Sequence, residues 1–241
     1  MVDGLHADGT PSSHASQHAT SFPLSLGITG TEHARADALR IAGMGMRQGP
    51  LTVHRLVRAL LSQGLTEAVL DLLTRKDQPG WARLLERGAT FTWEAWDLAE
   101  GTDYSQSHAW SASVVKEILE HLLGVRYASA GGRELLIEPP LCRLEYARGT
   151  VPAGNGDVEV SWSRDSGLVH LECTVPAGVT AVVRMPPGTY GVKGPTPDAA
   201  VVLSTAEGGA AAAGNTPAAH PTRDFRVHSG TWTFRPQAPL A

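Results

Sequence analysis

The period of the hydrophobic pattern changes once along this chain, near Gly124, and this change limits the folds that the chain can adopt. Before it, apolar residues recur at helical spacing, for example at Val53, Leu56 and Leu60. After it, apolar and polar residues alternate, as in residues 158–162. Because a helical period does not fit a strand, we predict a multidomain protein with an all-α part followed by an all-β part.

We expect these parts to be two domains, residues 1–126 and residues 127–241. Short loops between the helical segments favour antiparallel neighbours, which is how helical toroids are built. Several short strands separated by turn residues predict a C-terminal antiparallel β-sandwich, in which residues 224–234 form the closing strand. Residues 205–220 are rich in Ala and Gly and are predicted to be a low-complexity surface loop.

Composition excludes some partners. The formal net charge is −4 and the 20 Lys and Arg residues are scattered, so we expect no nucleic acid and no anionic membrane as a partner. No apolar run approaches the length of a membrane span, and residues 1–27 lack a signal-peptide pattern, which favours a cytoplasmic location. Cys142 and Cys173 lie in strand-like apolar segments and are predicted to be buried thiols rather than a disulfide.

Residues 87–111 combine aromatic rings with one central carboxylate and an imidazole. The tryptophans of this segment are Trp93, Trp96 and Trp110, three of the six in the chain. Glu94 lies between the first two, and His108 follows in a polar stretch. Indole rings can stack on the apolar faces of a sugar while polar groups bind its hydroxyls. A buried aromatic cluster with an incidental carboxylate fits the pattern equally well.

The sequences GATFTWEAWD (residues 88–97) and SHAWS (residues 107–111) resemble the C-terminal part of family 78 glycoside hydrolases, the bacterial α-L-rhamnosidases. Weaker likeness extends over most of the chain, up to about residue 205. The resemblance implies an (α/α)6 toroid, of which this chain holds roughly half of the helices, followed by a terminal β-domain. We therefore predict that the chain is the C-terminal portion of a larger enzyme, or a gene product shortened to it.

The resemblance also implies an activity: inverting hydrolysis of terminal α-L-rhamnosyl residues, with no cofactor and with Glu94 as the general base. An alternative for Glu94 is a helix-start residue that favours the positive end of the helix dipole. An inverting enzyme needs a general acid as well. The family's acid lies in an Asp-Gly-x-Arg-Asp-Glu-like segment, and these residues contain no such segment. The isolated chain is therefore expected to be inactive.

The remaining candidate residues would bind the substrate. The resemblance gives His108 a contact with bound rhamnose, whereas the alternative is a histidine that packs or caps at the head of the next helix. Of the three tryptophans in this segment, we expect one or two to form a wall of the site and the others to belong to the core.

Other polar residues are weaker candidates. Asp97, Glu100 and Asp103 are too close in sequence to Glu94 to be predicted as the acid, although a loop can bring Asp103 over the site. His14 and His18 have the i, i+4 spacing of a metal pair, but without a third ligand we predict no metal.

Two other functions remain open: a non-catalytic carbohydrate-binding remnant, and a related α/α-toroid enzyme that acts on another sugar. The expected partner is a rhamnose-containing glycoside. Half of a toroid also leaves apolar helix faces uncovered. We therefore expect either a homo-oligomer or association with the missing N-terminal half.

Overall fold

The computed structural model describes residues 16–97, 103–195, 201–206 and 222–237, with only the backbone for residues 201–206. The chain divides into two compact units, residues 1–117 and residues 118–241. In the described residues, no strand lies within residues 50–120 and no helix lies within residues 155–185. The predicted change from helices to strands is therefore confirmed.

The regular secondary structure of the first unit is all helical in its described residues. Its helices are α1 (Gln17–Ser25), α2 (Thr31–Gly43), α3 (Val53–Ser62), α4 (Thr66–Thr74), α5 (Trp81–Glu86), a 3₁₀ helix (Trp110–Ser113) and α6 (Val114–Ile118).

Helix α3 forms the centre of this unit. Val53, Leu56 and Leu60 are completely buried, because their spacing places them on one face of the helix. This helix contacts α1, α2 and α4. Burial of each of these side chains contributes about 1.5–3 kcal/mol relative to leaving it exposed. The helix stops before Gly64, whose φ of +69° suits a residue without a side chain.

The second unit contains strands and a few short helical turns. The turns are a π-helical segment (Leu119–Leu123) and a 3₁₀ segment (Ala130–Gly132). The strands in its described residues are β1 (Val125–Tyr127), β2 (Glu134–Ile137), β3 (Tyr146–Ala153), β4 (Gly156–Asp165), β5 (Leu168–Val175), β6 (Thr180–Met185), β7 (Tyr190–Lys193), β8 (Val201–Ala206), β9 (Thr222–Val227) and β10 (Gly230–Pro236).

These strands form two five-stranded sheets, in the orders β1-β2-β6-β9-β8 and β3-β4-β5-β10-β7. The expectation of an antiparallel arrangement is wrong at one place, since β2 and β6 pair in parallel and the first sheet is therefore mixed. A parallel pair needs a crossover connection rather than a hairpin. The connection contains β3, β4 and β5, three strands of the second sheet that lie between β2 and β6 in sequence.

One hydrophobic core serves both sheets. Val183 and Phe225 from the first sheet belong to the same buried cluster as Trp162, Trp232 and Phe234 from the second. Buried indole groups need hydrogen-bond partners. The Trp162 Nε1–H group donates to the Leu123 carbonyl at 3.2 Å, and the Trp232 Nε1–H group donates to the His228 carbonyl at 2.8 Å.

The predicted closing strand over residues 224–234 is two strands. Strand β9 ends at Val227 and β10 begins at Gly230, and they belong to different sheets. Gly230 has a φ of +126°, which favours glycine at this turn. The predicted loop also begins too early, because Thr205 and Ala206 belong to β8. The rest of that loop, residues 207–220, lies outside the described residues.

Both cysteines are buried, as predicted. Burial, and to a smaller extent the nearby Glu172 carboxylate, raises the pKa of the Cys173 thiol to about 12. Cys173 is therefore a neutral thiol at neutral pH and belongs to the core of the second sheet.

Gly124 should be needed for the stability of the second unit. Its φ is +88°, and a Cβ atom there would overlap the carbonyl group of Glu138. Gly167 offers a matched control, since its φ is +81° but a Cβ atom would meet nothing within 4 Å. We expect Gly167→Ala to lower the free energy of unfolding by about 1–2 kcal/mol and Gly124→Ala by about 3 kcal/mol or more. Urea denaturation measures both, and equal losses would contradict the close approach.

Candidate functional site

The two segments that carry the predicted site lie side by side. The backbone N–H of Glu94 donates to the Ser105 carbonyl at 2.9 Å, and the backbone N–H of His108 donates to the Thr92 carbonyl at 2.8 Å. The Thr92 hydroxyl also donates to the His108 carbonyl at 2.6 Å. These bonds hold Glu94 and His108 on two adjacent segments, residues 92–94 and 105–108, which have no regular secondary structure.

The Glu94 carboxylate is half-buried, and one of its oxygens is held. Its Oε2 accepts a hydrogen bond from the Ser105 backbone N–H at 2.9 Å, whereas Oε1 makes no hydrogen bond to the described residues. Glu94 does not begin a helix, since residues 92–97 have no regular secondary structure. The helix-dipole alternative therefore does not apply. The loop fixes the carboxylate and leaves one oxygen available for another partner.

The imidazole of His108 packs against Trp110. Their ring centroids are 4.0 Å apart, with an angle of 55° between the planes. Both side chains are half-buried. The Nδ1 atom of His108 is buried and has no hydrogen-bond partner, an arrangement that is unfavourable unless a ligand or water supplies one. His108 therefore contacts Trp110 at the start of the 3₁₀ helix and carries a buried polar atom without a partner.

Trp93 and Trp96 are mostly buried, with 8% and 7% of their surface exposed. The indole N–H of Trp96 donates to the Gln48 carbonyl at 2.6 Å. The ring of Trp96 also makes an edge-to-face contact with Trp81, with centroids 4.9 Å apart. These contacts favour a core role for Trp96. Trp110 is the most accessible of the three tryptophans in the segment.

A buried polar network lies beneath this loop, and the sequence did not point to it. Gln48 is 1% exposed, and its Nε2 donates to the Ser21 hydroxyl at 2.5 Å. Gln17 is equally buried and donates to the carbonyls of Ile41 and Gly45 at 2.8 Å and 2.7 Å. Glutamines rarely indicate a core position in a sequence. The spacing of apolar residues along the helices therefore does not predict that these two glutamines are buried.

The weaker candidates have other roles. Asp97 forms ion pairs with Arg83 at 3.3 Å and Arg87 at 3.1 Å, which tie the loop to the end of α5. Asp103 is exposed, and Glu100 lies outside the described residues. His18 shares a hydrogen bond of 3.1 Å with the Thr52 hydroxyl, and His14 lies outside the described residues.

A concavity of the described residues lies elsewhere. It has a volume of about 280 Å³, lies on the strands β3, β4 and β5 of the second unit, and includes none of the five predicted site residues. Within the described part of the chain, no helix is long and apolar enough to cross a membrane.

Comparison with known proteins identifies the family. The model of the bacterial α-L-rhamnosidase 6 hairpin glycosidase domain matches residues 5–122, and the model of the bacterial α-L-rhamnosidase C-terminal domain matches residues 124–198. The α-L-rhamnosidase of Alteromonas sp. (strain LOR) is 32% identical over 162 residues, and that of Streptomyces avermitilis is 28% identical over 184 residues. These matches cover 64% and 70% of this chain.

The fold is also that of a solved relative. The crystal structure of Streptomyces avermitilis α-L-rhamnosidase complexed with L-rhamnose matches 97% of this chain with a TM-score of 0.75 and 24% identity. The match covers 22% of that chain, and this chain spans 18% of the length of each of the two relatives above. The chain belongs to the bacterial α-L-rhamnosidase family of glycoside hydrolases. It combines a six-hairpin glycosidase domain sequence with C-terminal β-sheets.

The hydrogen bond between Trp96 and Gln48 should be a measurable part of the stability of the first unit. Trp96→Phe keeps an aromatic ring but leaves the buried Gln48 carbonyl without its donor, which costs about 1–3 kcal/mol beyond the lost volume. Trp93→Phe is the matched control, because Trp93 is equally buried and its indole makes no hydrogen bond to the described residues. Urea denaturation should show the larger loss for Trp96→Phe. Equal losses would mean that the hydrogen bond contributes nothing.

Proposed function

We propose that this chain carries the general-base half of an inverting α-L-rhamnosidase site, with Glu94 as the base. The observation that supports this most is the geometry of the Glu94 carboxylate. Ser105 holds Oε2, while Oε1 makes no hydrogen bond to the described residues. A base needs this combination of a fixed position and an accessible oxygen. Membership of the rhamnosidase family supports the same role.

The chemistry assigns one task to Glu94. In inverting hydrolysis, one carboxylate removes a proton from a water molecule, which attacks the anomeric carbon on the face opposite the leaving group. A carboxylic acid on the other side of the sugar protonates the departing oxygen, and the two carboxyl groups lie about 6.5–9.5 Å apart. The acidic segment that the resemblance implies is not among these residues. The acid must therefore come from another part of the active protein.

The neighbouring residues would hold the sugar. We propose that His108 binds a rhamnose hydroxyl through the accessible part of its half-buried ring, as the family resemblance implies. The Nδ1 atom without a partner is itself buried and is not the atom offered to the sugar. Trp110 is the best placed of the tryptophans to stack on the sugar, since it is half-buried and contacts the His108 ring. Trp93 and Trp96 are mostly buried and would support the stacking surface of Trp110 from within the core.

The finer architecture follows from the same proposal. The helices of the first unit would form about half of an (α/α)6 toroid, and the two sheets would form a β-sandwich. The change of period suggests a domain boundary between residues 126 and 127, but this would divide β1, so we place the boundary before Val125. The substrate would be a glycoside with a terminal α-L-rhamnosyl residue.

A second function competes with catalysis. The Glu94 carboxylate also connects two loop segments through Ser105, which is a structural task. If that were its only task, the chain would be a carbohydrate-binding remnant that uses the same aromatic wall. A third possibility is a related enzyme that acts on a sugar other than rhamnose. Product analysis on a panel of glycosides distinguishes it from an α-L-rhamnosidase.

Glu94→Gln should abolish base catalysis without unfolding the loop. The chain alone should hydrolyse an aryl α-L-rhamnoside very slowly or not at all, because it lacks the acid and much of the substrate-positioning wall. In a protein that carries the complete six-hairpin domain, activity should appear, and Glu94→Gln should lower kcat by about 10²–10⁴-fold. Glutamine keeps an oxygen that can accept the Ser105 N–H but cannot take a proton from water.

The control for that experiment is the nearby carboxylate. Asp103→Asn, at an exposed loop position, should leave turnover of the same protein nearly unchanged. An aryl leaving group needs little protonation, so loss of the base should lower the rate on this substrate more than loss of the acid. Near-normal turnover of Glu94→Gln would exclude Glu94 as the base and would favour Asp103.

The first unit should present apolar surface to a partner. Ile28 is 71% exposed, Leu85 is 70% exposed and Leu26 is 57% exposed, and exposed apolar patches favour association. We expect the chain to self-associate in light scattering and to bind a hydrophobic dye, and the Leu85→Lys variant should bind less dye. Leu168→Lys, at a 53% exposed site in the second unit, is the control. A monomer that binds no dye would contradict the half-toroid.

A further inference from the structure

The solvent-facing side of the second sheet carries an ordered array of polar side chains. Two adjacent cross-strand rows run over β3, β4 and β5, because the register pairs the residues of the three strands directly. The first row is Arg148, Ser161 and Glu172, and the second is Thr150, Glu159 and Thr174. Neighbouring strands are about 4.8 Å apart, so Arg148 and Glu172 stand about 10 Å from each other with Ser161 between them.

These six side chains surround the concavity of about 280 Å³. Gly149, Val160 and Cys173 complete its lining. The side chains of Val160 and Cys173 are buried on the opposite side of the sheet, so these residues contribute their backbone to the floor. The result is a shallow depression whose floor is the sheet backbone and whose walls carry a guanidinium, two carboxylates and three hydroxyls.

The charged groups around this depression are not paired with each other. Arg148, Glu159 and Glu172 are exposed and make no ion pair or side-chain hydrogen bond to the described residues. In the other sheet, Arg184 and Asp224 form an ion pair at 2.8 Å, whereas no such pair joins the charges around the depression. The register separates Arg148 from Glu172 by placing a serine between them. The charged donor and acceptors therefore face the same depression without satisfying one another, while the Thr174 hydroxyl already shares a hydrogen bond of 3.0 Å with the Thr231 hydroxyl.

We propose that this depression is a saccharide-binding surface, separate from the Glu94 loop. Carboxylates accept hydrogen bonds from neighbouring sugar hydroxyls, a guanidinium donates several, and Ser and Thr hydroxyls can do both. Tyr146 is 70% exposed and lies two residues before Arg148 on the same side of β3, where its ring can stack on the apolar face of a sugar. This inference does not depend on catalysis by Glu94.

The composition of the depression favours a neutral sugar over two charged ligands. Two carboxylates and one guanidinium leave a net negative charge, which disfavours a polyanion. A divalent cation would need several carboxylate or carbonyl oxygens around one point. Among the described residues, no third His, Cys or carboxylate joins Glu159 and Glu172 in a cluster of metal-ligating atoms.

The test is a titration of the ¹⁵N-labelled chain with L-rhamnose and, separately, with other neutral monosaccharides, followed by amide chemical shifts. At least one sugar should shift residues 148–150, 159–161 and 172–174 in a saturable way. Arg148→Ala and Glu172→Gln should each weaken that binding about tenfold or more, as expected when a charge-assisted hydrogen bond is lost. Ser161→Ala should weaken it without changing the charge. Arg235→Ala, an exposed arginine of the same sheet outside the depression, is the matched control and should leave the affinity unchanged.

The outcomes separate this site from the proposed catalytic one. Glu94→Gln should leave the shifts in the sheet unchanged, whatever it does to residues 92–110. The proposal is overturned if no neutral sugar shifts the sheet residues, or if Arg235→Ala weakens binding as much as Arg148→Ala does. It is also overturned if calcium chloride alone produces saturable shifts there and the sugars do not, because the depression would then be a cation site.

Discussion

The hydrogen bond from the indole of Trp96 to the Gln48 carbonyl is the interaction on which the candidate site depends. The loop around Glu94 has no helix or sheet to satisfy its backbone, so it must be held by side chains and by its own cross-loop bonds. Trp96 supplies the anchor, since it is buried and binds a residue 48 positions earlier in the chain. Glu94, two residues before Trp96, is thereby kept at the edge of the core instead of moving freely in solvent.

The buried glutamines help to fix the segments around this anchor. A buried polar side chain is costly unless it is hydrogen-bonded. Gln17 meets this condition, since its Nε2 and its Oε1 both bond to separate segments of the first unit. Gln48 meets it only in part, because it donates to Ser21 while its buried Oε1 has no partner among the described residues. The bonds of Gln17 favour one arrangement of the chain, because alternatives leave its polar atoms unpaired. A purely apolar core would stabilise the helices but would place a nearby carboxylate less accurately. Positioning within a fraction of an ångström is what catalysis requires.

The sequence predicted the order of the structural classes and the family, and the segment that it proposes for the site stays a prediction. It failed where local patterns do not carry the information. The prediction of a single closing strand over residues 224–234 was wrong because apolar residues alternate both before and after the turn that divides this segment. The buried positions change parity there, from Phe225 and Val227 to Trp232 and Phe234. The parallel pairing of β2 with β6 depends on residues far apart in the chain. The hydrogen-bond partner of Trp96 was not predictable either, because every residue has a backbone carbonyl and the sequence does not show which one accepts.

The same alternation that builds the core of the second unit also creates its polar surface. Val160 and Cys173 point inwards to the core, so their neighbours on β4 and β5 must point outwards. A strand that served only as a scaffold would gain little from outward charges that lack partners, since an exposed charge is already well solvated. The register separates opposite charges around a depression instead of pairing them across strands. Hydroxyl-rich ligands are recognised by donors and acceptors that remain available, and Arg148, Glu159 and Glu172 meet this requirement around the depression.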